Sequence, residues 1–151
     1  MSTHRSSVVV VGVDGSTSSV AALQRAFVEA RHRGGVVEIV TAWSCRGTTV
    51  SELRRRDAGH RWALQAQRTA FAIATEHRDD LPTSTAVIVG GDPAEVLARA
   101  AEGAACLVLG SSVGRSGSAP HSVQTRCLAT TDCPVIVVTE RDRSTADATP
   151  R

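Results

Sequence analysis

The chain has 151 residues, a length that fits one domain and can bury a hydrophobic core without help from a metal or a disulfide. Its 17 basic and 15 acidic side chains leave a net charge of +2, which gives no electrostatic case for a nucleic-acid or membrane partner. The four cysteines show no C-x-x-C spacing and no apolar run approaches the ~20 residues of a membrane helix, so we expect a cytoplasmic protein with reduced thiols.

Five short apolar runs, rich in β-branched residues, predict strands that are buried on both faces, as in a parallel sheet. They lie at 8–13, 36–43, 85–90, 106–110 and 133–138. Helical periodicity fills the segments between them, so strands and helices alternate along the chain. Strict alternation predicts an α/β fold with right-handed crossovers and helices on both faces of a parallel sheet.

Four helices are predicted between the strands, at about 18–33, 51–77, 93–102 and 121–131. The second is expected to bury an apolar stripe that includes Trp62 and Ile73. The third has the clearest start, with Asp92 as the N-cap, Pro93 at the first helical position and Glu95 completing a capping box.

The organisation is that of a single domain with short polar ends. We expect a flexible N-terminus over residues 1–7, the domain itself over 8–139 and a disordered tail over 140–151. No internal repeat is evident.

Two loops at the carboxyl ends of strands are candidates for a binding site. Ligands of open α/β sheets bind beyond these ends, where the strand order reverses. If the chain reverses after the third strand, "GVDGSTSS" after strand one and "GSSVGRSG" after strand four share a crevice. Asp14 in the first loop is either a carboxylate that accepts hydrogen bonds from a ribose or a base, or an ordinary Asp-Gly turn residue.

The second loop, "GSSVGRSGSAPHSV" over 110–123, combines glycines with the start of a helix. Free N–H groups at a helix N-terminus favour an anion, and glycines let the backbone approach it closely. A mobile surface loop accounts for the same composition equally well. The P-loop motif is absent from the chain, and no dinucleotide-binding motif follows the first strand.

The same loop contains a G-x-S-x-G motif, which makes Ser112 a candidate nucleophile of a serine hydrolase. That architecture places an acid and then a histidine after the serine, whereas only His121 follows here, with no acid between. The five histidines show no spacing typical of metal ligands, so no metal site is predicted.

From Val8 to Val138 the chain resembles a universal stress protein domain. The resemblance rests on "VVVVGVDGSTSSVAAL", "VTAWS", "GGDPAEVLARAAEGAACLVLGSS" and "SVQTRCLATTDCPVIVV", in this order. It implies an open five-stranded parallel sheet of order 3-2-1-4-5, Rossmann-like and of the adenine nucleotide alpha hydrolase-like type. It also implies a homodimer paired through the last strand, 133–138, and a stress-response role without enzymatic chemistry.

One branch of this family binds ATP, and the resemblance therefore implies nucleotide-binding positions. They are Val13, Asp14, Ala42, Gly110, Gly114, Ser122 and Val123. Asp14 corresponds to a residue that contacts the nucleoside, and Ala42 lies at about the position that contacts the adenine. Gly110 matches the first glycine of the phosphate loop, and Ser122 and Val123 match the residues at the start of the following helix.

Three departures from the family pattern lie in the phosphate loop. Three residues, not two, separate Gly110 from Gly114. Only six residues separate Gly114 from His121 where the pattern has nine, and His121 occupies the place of the last glycine. An imidazole there would crowd a backbone that must approach phosphates. The alternatives at this point are ATP binding that is weak, lost or replaced by a smaller anionic nucleotide, a dimeric interaction module without a ligand, and a serine hydrolase using Ser112.

Overall fold

The computed structural model describes residues 2–43, 49–111 and 122–139. After a 3-10 helix over Ser2–Ser7, the strands are β1 (Val8–Gly12), β2 (Val36–Trp43), β3 (Ser84–Gly90), β4 (Cys106–Gly110) and β5 (Val135–Val138). The helices are α1 (Thr17–Arg33), α2 (Val50–Ala74), α3 (Pro93–Ala100) and α4 (Val123–Thr130). All nine predicted elements are present, with ends that differ from the prediction by a few residues.

The five strands form one parallel sheet of order β3-β2-β1-β4-β5, which confirms the predicted fold class and strand order. β1 is the central strand: Val10 lies opposite Glu38 of β2 on one side and opposite Leu107 of β4 on the other. The chain therefore reverses direction after β3, and the loops that follow β1 and β4 begin side by side.

Two hydrophobic cores lie on opposite faces of the sheet because successive side chains of a strand alternate between its faces. Val9 and Val11 of β1 pack under α1 and α2, whereas Val8 and Val10 pack under α3 and α4. Val9, Val10 and Val11 have no exposed surface. Each buried side chain of this size contributes roughly 1.5–3 kcal/mol relative to the exposed state, so the central strands anchor the fold.

The prediction that all strands are buried on both faces is wrong for β3. Val87 and Val89 remain 40% and 39% exposed because β3 is an edge strand that has only β2 as a neighbour. An apolar run cannot distinguish an edge strand from a central one, since both contain the same β-branched residues.

The predicted apolar stripe of α2 is only partly buried. Trp62 and Ile73 are 61% and 41% exposed, whereas the buried residues of the helix are Ala63, Gln67, Ala70 and Ala74. These four lie at spacings of four, three and four residues, which defines a narrower stripe than the one predicted. All of them lie after residue 62, so only the second half of the helix packs on the sheet.

The N-terminal segment forms a 3-10 helix over Ser2–Ser7, where the sequence predicts flexibility. Arg5 donates hydrogen bonds to the carbonyls of Glu102, at 2.9 Å, and Ala100, at the C-terminal end of α3. Its guanidinium also lies 3.8 Å from a carboxylate oxygen of Glu38. These contacts attach the N-terminal segment to the rest of the protein. The flexibility of residues 1–7 and the domain bounds of 8–139 stay predictions. The predicted tail, 140–151, lies outside the described residues.

Candidate functional site

The candidate crevice lies at the carboxyl edge of the sheet, where β1 and β4 run side by side. Val13 and Asp14 continue β1 at this edge, Gly110 ends β4, and Ala42 is the penultimate residue of β2. The predicted site residues of these three strands therefore share one end of the sheet, as the strand order requires.

The structure shows the turn that is one of the two roles predicted for Asp14, and its contact with a nucleoside stays a prediction. Its Oδ1 accepts hydrogen bonds from the backbone N–H of Ser16, at 2.9 Å, and from the Ser16 hydroxyl, at 2.6 Å, which is an Asx-turn closed by Gly15 at φ 88°. The side chain is exposed, and Oδ2 accepts no hydrogen bond from the part of the chain that the structure describes. One carboxylate oxygen thus holds the turn and the other is available to a ligand.

Val13 supports the site from within the core. It is only 3% exposed, and its N–H donates to the carbonyl of Val40 at 2.9 Å, so β1 and β2 stay paired beyond the last residue of β1. Neither its side chain nor its N–H is available to a ligand. Its contribution is to fix the point from which Asp14 projects.

Gly110 has a packing role that the sequence does not reveal. A Cβ added there would lie 2.5 Å from the carbonyl carbon of Ser18 and 2.6 Å from its oxygen, both in the first turn of α1. Real Cβ atoms do not approach backbone this closely, so the first turn of α1 can lie on β4 only because residue 110 is glycine. The sequence predicts that Gly110 lets a phosphate approach the backbone. The structure shows that Gly110 lets the first turn of α1 approach β4.

The start of α4 has the form expected of an anion site. Ser122 is the N-cap, and its hydroxyl accepts a hydrogen bond from the N–H of Thr125 at 3.1 Å. α4 then begins at Val123, whose side chain packs against the second core. The N–H groups of Val123 and Gln124 have no acceptor within the helix, which is the arrangement that binds phosphates at helix N-termini.

An ion pair that the sequence does not reveal joins the starts of α3 and α4. Arg126 contacts Asp92, the N-cap of α3, through Nη1 at 2.9 Å and Nη2 at 2.8 Å. The hydrogen bond from Arg126 lowers the pKa of the Asp92 carboxyl, and the N–H of Glu95 adds to the effect. Asp92 thus caps α3, as predicted, and also orients α4. The two residues are 34 positions apart, and no local pattern links them.

Three predicted positions, Ser112, Gly114 and His121, lie outside the described residues. Across residues 2–43, 49–111 and 122–139, no group of three or more potential metal ligands occurs. Within the same ranges, no helix is both long enough and apolar enough to cross a membrane.

Comparison with known proteins gives one family. Residues 6–139 match the model of the universal stress protein family, and no curated protein matches the chain. A universal stress protein crystallised in complex with cAMP is 27% identical and has a TM-score of 0.59, over 87% of this chain and 95% of the other.

Two further solved structures share the fold. A protein of the same family from Burkholderia pseudomallei is 27% identical, with a TM-score of 0.61 over 89% of this chain and 96% of the other. The universal stress protein UspA from Lactobacillus plantarum is 19% identical, with a TM-score of 0.72 over 89% and 98% of the two chains. The family match spans nearly the whole of the sheet and helices described above. The chain belongs to the universal stress protein family.

Proposed function

We propose that the protein is a stress-response regulator that binds an adenine nucleotide in the crevice between the ends of β1 and β4. The observation that carries the proposal is the position of Asp14, at the point where the strand order reverses, with a carboxylate oxygen that no described residue engages. The relative that was crystallised with cAMP, at 27% identity, supports the choice of ligand.

The two ends of the crevice suit the two ends of a nucleotide. The Oδ2 atom of Asp14 is an acceptor for a ribose hydroxyl or an amino group of the base. The first turn of α4 offers the N–H groups of Val123 and Gln124, and the positive end of the helix dipole, to a phosphate. A site that combines a carboxylate with an anion-binding helix favours a molecule with a hydroxyl-bearing sugar at one end and a phosphate at the other.

The length of the phosphate loop favours a ligand with one phosphate. Six residues separate Gly114 from His121, three fewer than in the ATP-binding pattern. One extra residue lies before Gly114, so the loop from Gly110 to His121 is two residues shorter than the pattern, or about 7 Å of extended backbone, which is enough to enclose additional phosphates. We therefore expect AMP or cAMP to bind more tightly than ATP.

Isothermal titration calorimetry with AMP, cAMP and ATP tests the proposal. We expect Asp14→Asn to weaken AMP binding at least tenfold, because the Asn carbonyl can still close the turn to Ser16 while the second carboxylate oxygen is lost. Asp79→Asn is the matched control, since Asp79 precedes β3 at the opposite edge of the sheet. The absence of binding by all three nucleotides would refute the proposal.

The proposed regulator acts as a homodimer, with the second copy placed along β5. All but Val138 of the four β5 residues are incompletely buried, which leaves apolar surface along this edge of the sheet. Sedimentation velocity gives the mass, and Ile136→Lys tests the edge, because a charge at this position opposes a like charge in the partner. A monomer in the unmodified protein would instead favour regulation through a different partner.

The hydrolase alternative remains testable through Ser112. A fluorophosphonate probe that labels the protein but not the Ser112→Ala variant would support it. We expect no such labelling, because no acidic residue lies between Ser112 and His121, the one histidine that follows it.

A further inference from the structure

A pocket distinct from the crevice at Asp14 lies at the carboxyl edge of the sheet, beside the end of β2 and under the first half of α2. Its cavity of about 490 Å³ is lined by Trp43, Asp57, His60 and Arg61. Pockets that bind small molecules commonly have volumes of about 300–1,000 Å³, so the space is sufficient for one planar ring with a substituent. None of these residues belongs to the crevice at Asp14.

The pocket exists because α2 is longer than the sheet beneath it. Gln67 donates to the Thr41 hydroxyl at 3.1 Å and to the Val87 carbonyl at 2.9 Å, which places it two residues before the end of β2 and at the middle of β3. The residues of α2 from Val50 to Trp62 lie beyond that level. At 1.5 Å per residue they project about 20 Å past the sheet.

The face of α2 that packs on the sheet is mostly apolar, but it becomes polar where the helix extends beyond the sheet. Its buried residues are Ala63, Gln67, Ala70 and Ala74, at helical spacing. Continuing the same spacing toward the N-terminus gives His60 and Arg56. Both side chains lie beside Trp43 at the end of β2, on a helix face that extends beyond the sheet and where polar residues are ordinary.

Trp43 forms the floor of this pocket. It is the last residue of β2 and, two positions after Thr41, lies on the same face of the sheet as α2. The His60 ring meets it edge-on, with centroids 5.2 Å apart and an interplanar angle of 84°. The Arg56 guanidinium carbon lies over the Trp43 ring, 5.9 Å from its centroid and within the roughly 6 Å of a cation–π contact, so Arg56 places a positive charge beside the indole.

The charges around the pocket favour an anion. Arg56 and Arg61 bring two positive charges and Asp57 one negative charge, so the charged side chains around the pocket are positive on balance. An indole face binds planar rings by stacking, and a guanidinium binds carboxylate or phosphate through paired hydrogen bonds. The combination is complementary to an aromatic ring that carries an acidic group.

We propose that Trp43, Arg56, His60 and Arg61 form a second binding site, for a planar aromatic anion, which is separate from the nucleotide crevice and does not depend on it. An aromatic carboxylate and a nucleobase linked to a phosphate share this chemistry. Stacking on Trp43 holds the ring, and the two arginines hold the acidic group.

Trp43 itself reports on the site. In a Trp62→Phe background, which alters a side chain that is 61% exposed, Trp43 is the one remaining tryptophan of the chain. Its fluorescence is titrated with nicotinate, AMP, adenosine and inorganic phosphate. We expect saturable quenching by nicotinate, AMP or both, with adenosine and phosphate at least tenfold weaker because each lacks one half of the ligand. Tighter binding of nicotinate would identify the ligand as an aromatic carboxylate, and tighter binding of AMP would identify it as a nucleobase linked to a phosphate.

Matched variants separate binding from structure. We expect Arg56→Gln and Arg61→Gln each to weaken the quenching about tenfold, while Arg55→Gln, an exposed position on the same helix outside the pocket, leaves it unchanged. Asp14→Asn is also expected to leave it unchanged, which distinguishes this site from the crevice. Two results would overturn the proposal and leave Trp43 as a contact that fastens α2: no saturable quenching, or quenching in both arginine variants as tight as in the Trp62→Phe protein.

Discussion

Gly110→Ala is the variant that best separates packing from ligand binding at the crevice. The added Cβ would lie 2.5 Å from the Ser18 carbonyl carbon, whereas ordinary contact begins at 3.4 Å, so the first turn of α1 must move by about 0.9 Å. The atoms it meets first are backbone atoms of a helix whose residues Ser18 and Ser19 are buried, so they cannot simply rotate away. Overpacking of this kind costs about 1–3 kcal/mol.

The measurement is urea denaturation followed by far-UV circular dichroism, together with a thermal melt. For a chain of this length each kcal/mol lowers Tm by about 2–4 °C. Gly59→Ala is the control: it lies within α2, a Cβ there meets nothing within 4 Å, and removing a helical glycine should stabilise by about 0.5–1 kcal/mol. The reasoning is refuted if Gly110→Ala keeps full stability and loses nucleotide affinity alone, because Gly110 would then act on the ligand and not on α1.

Three further outcomes follow from the contacts described above. Gln67→Ala should lower the free energy of unfolding by about 1–3 kcal/mol in urea titrations, because its two hydrogen bonds to β2 and β3 are lost; a change below about 0.5 kcal/mol would show that they contribute little. Arg126→Gln should raise the pKa of Asp92, measured by NMR titration, toward its ordinary value. The lowered native pKa gives stability that is present above the unfolded pKa and lost as pH falls through the native one, so an unchanged titration in Arg126→Gln would contradict the assigned ion pair. Cys106 and Cys127 are fully buried and burial raises the pKa of both thiols, so both should react with a thiol reagent only on unfolding, and rapid labelling of the native protein would be inconsistent with their positions.

The sequence is sufficient to predict the sheet because each strand is a short β-branched run and each helix is bounded by capping residues or glycine. The same signals do not show which surfaces remain uncovered. Trp62 and Ile73 have helical spacing relative to the buried alanines, but the extent of burial depends on where α2 crosses β2 and β3. Val87 and Val89 likewise belong to a convincing strand, and only the strand order makes it an edge.

The candidate site shows a similar division between local and tertiary information. The turn at Asp14 and the N-cap at Ser122 are local, and their residue types predict them. The contact of Gly110 with Ser18 and the pairing of Arg126 with Asp92 join segments 92 and 34 residues apart, and a single sequence contains no pattern for either. A glycine suits two roles, lying under a helix and lying near a phosphate; the structure shows the first for Gly110, and the second stays a prediction.

The anchoring of Arg5 to the C-terminal end of α3 has a practical consequence for labelled or immobilised forms of this protein. The 3-10 helix that contains Arg5 leads into the amino end of β1, so an affinity tag at the N-terminus starts from the side of the sheet opposite the crevice. β5 ends at Val138 on the carboxyl side, where Ser111 donates to its carbonyl at 2.7 Å. A fusion partner attached soon after Val138 would therefore emerge next to β4, which borders the crevice, so sensors or surface-coupled forms should be built from the N-terminus.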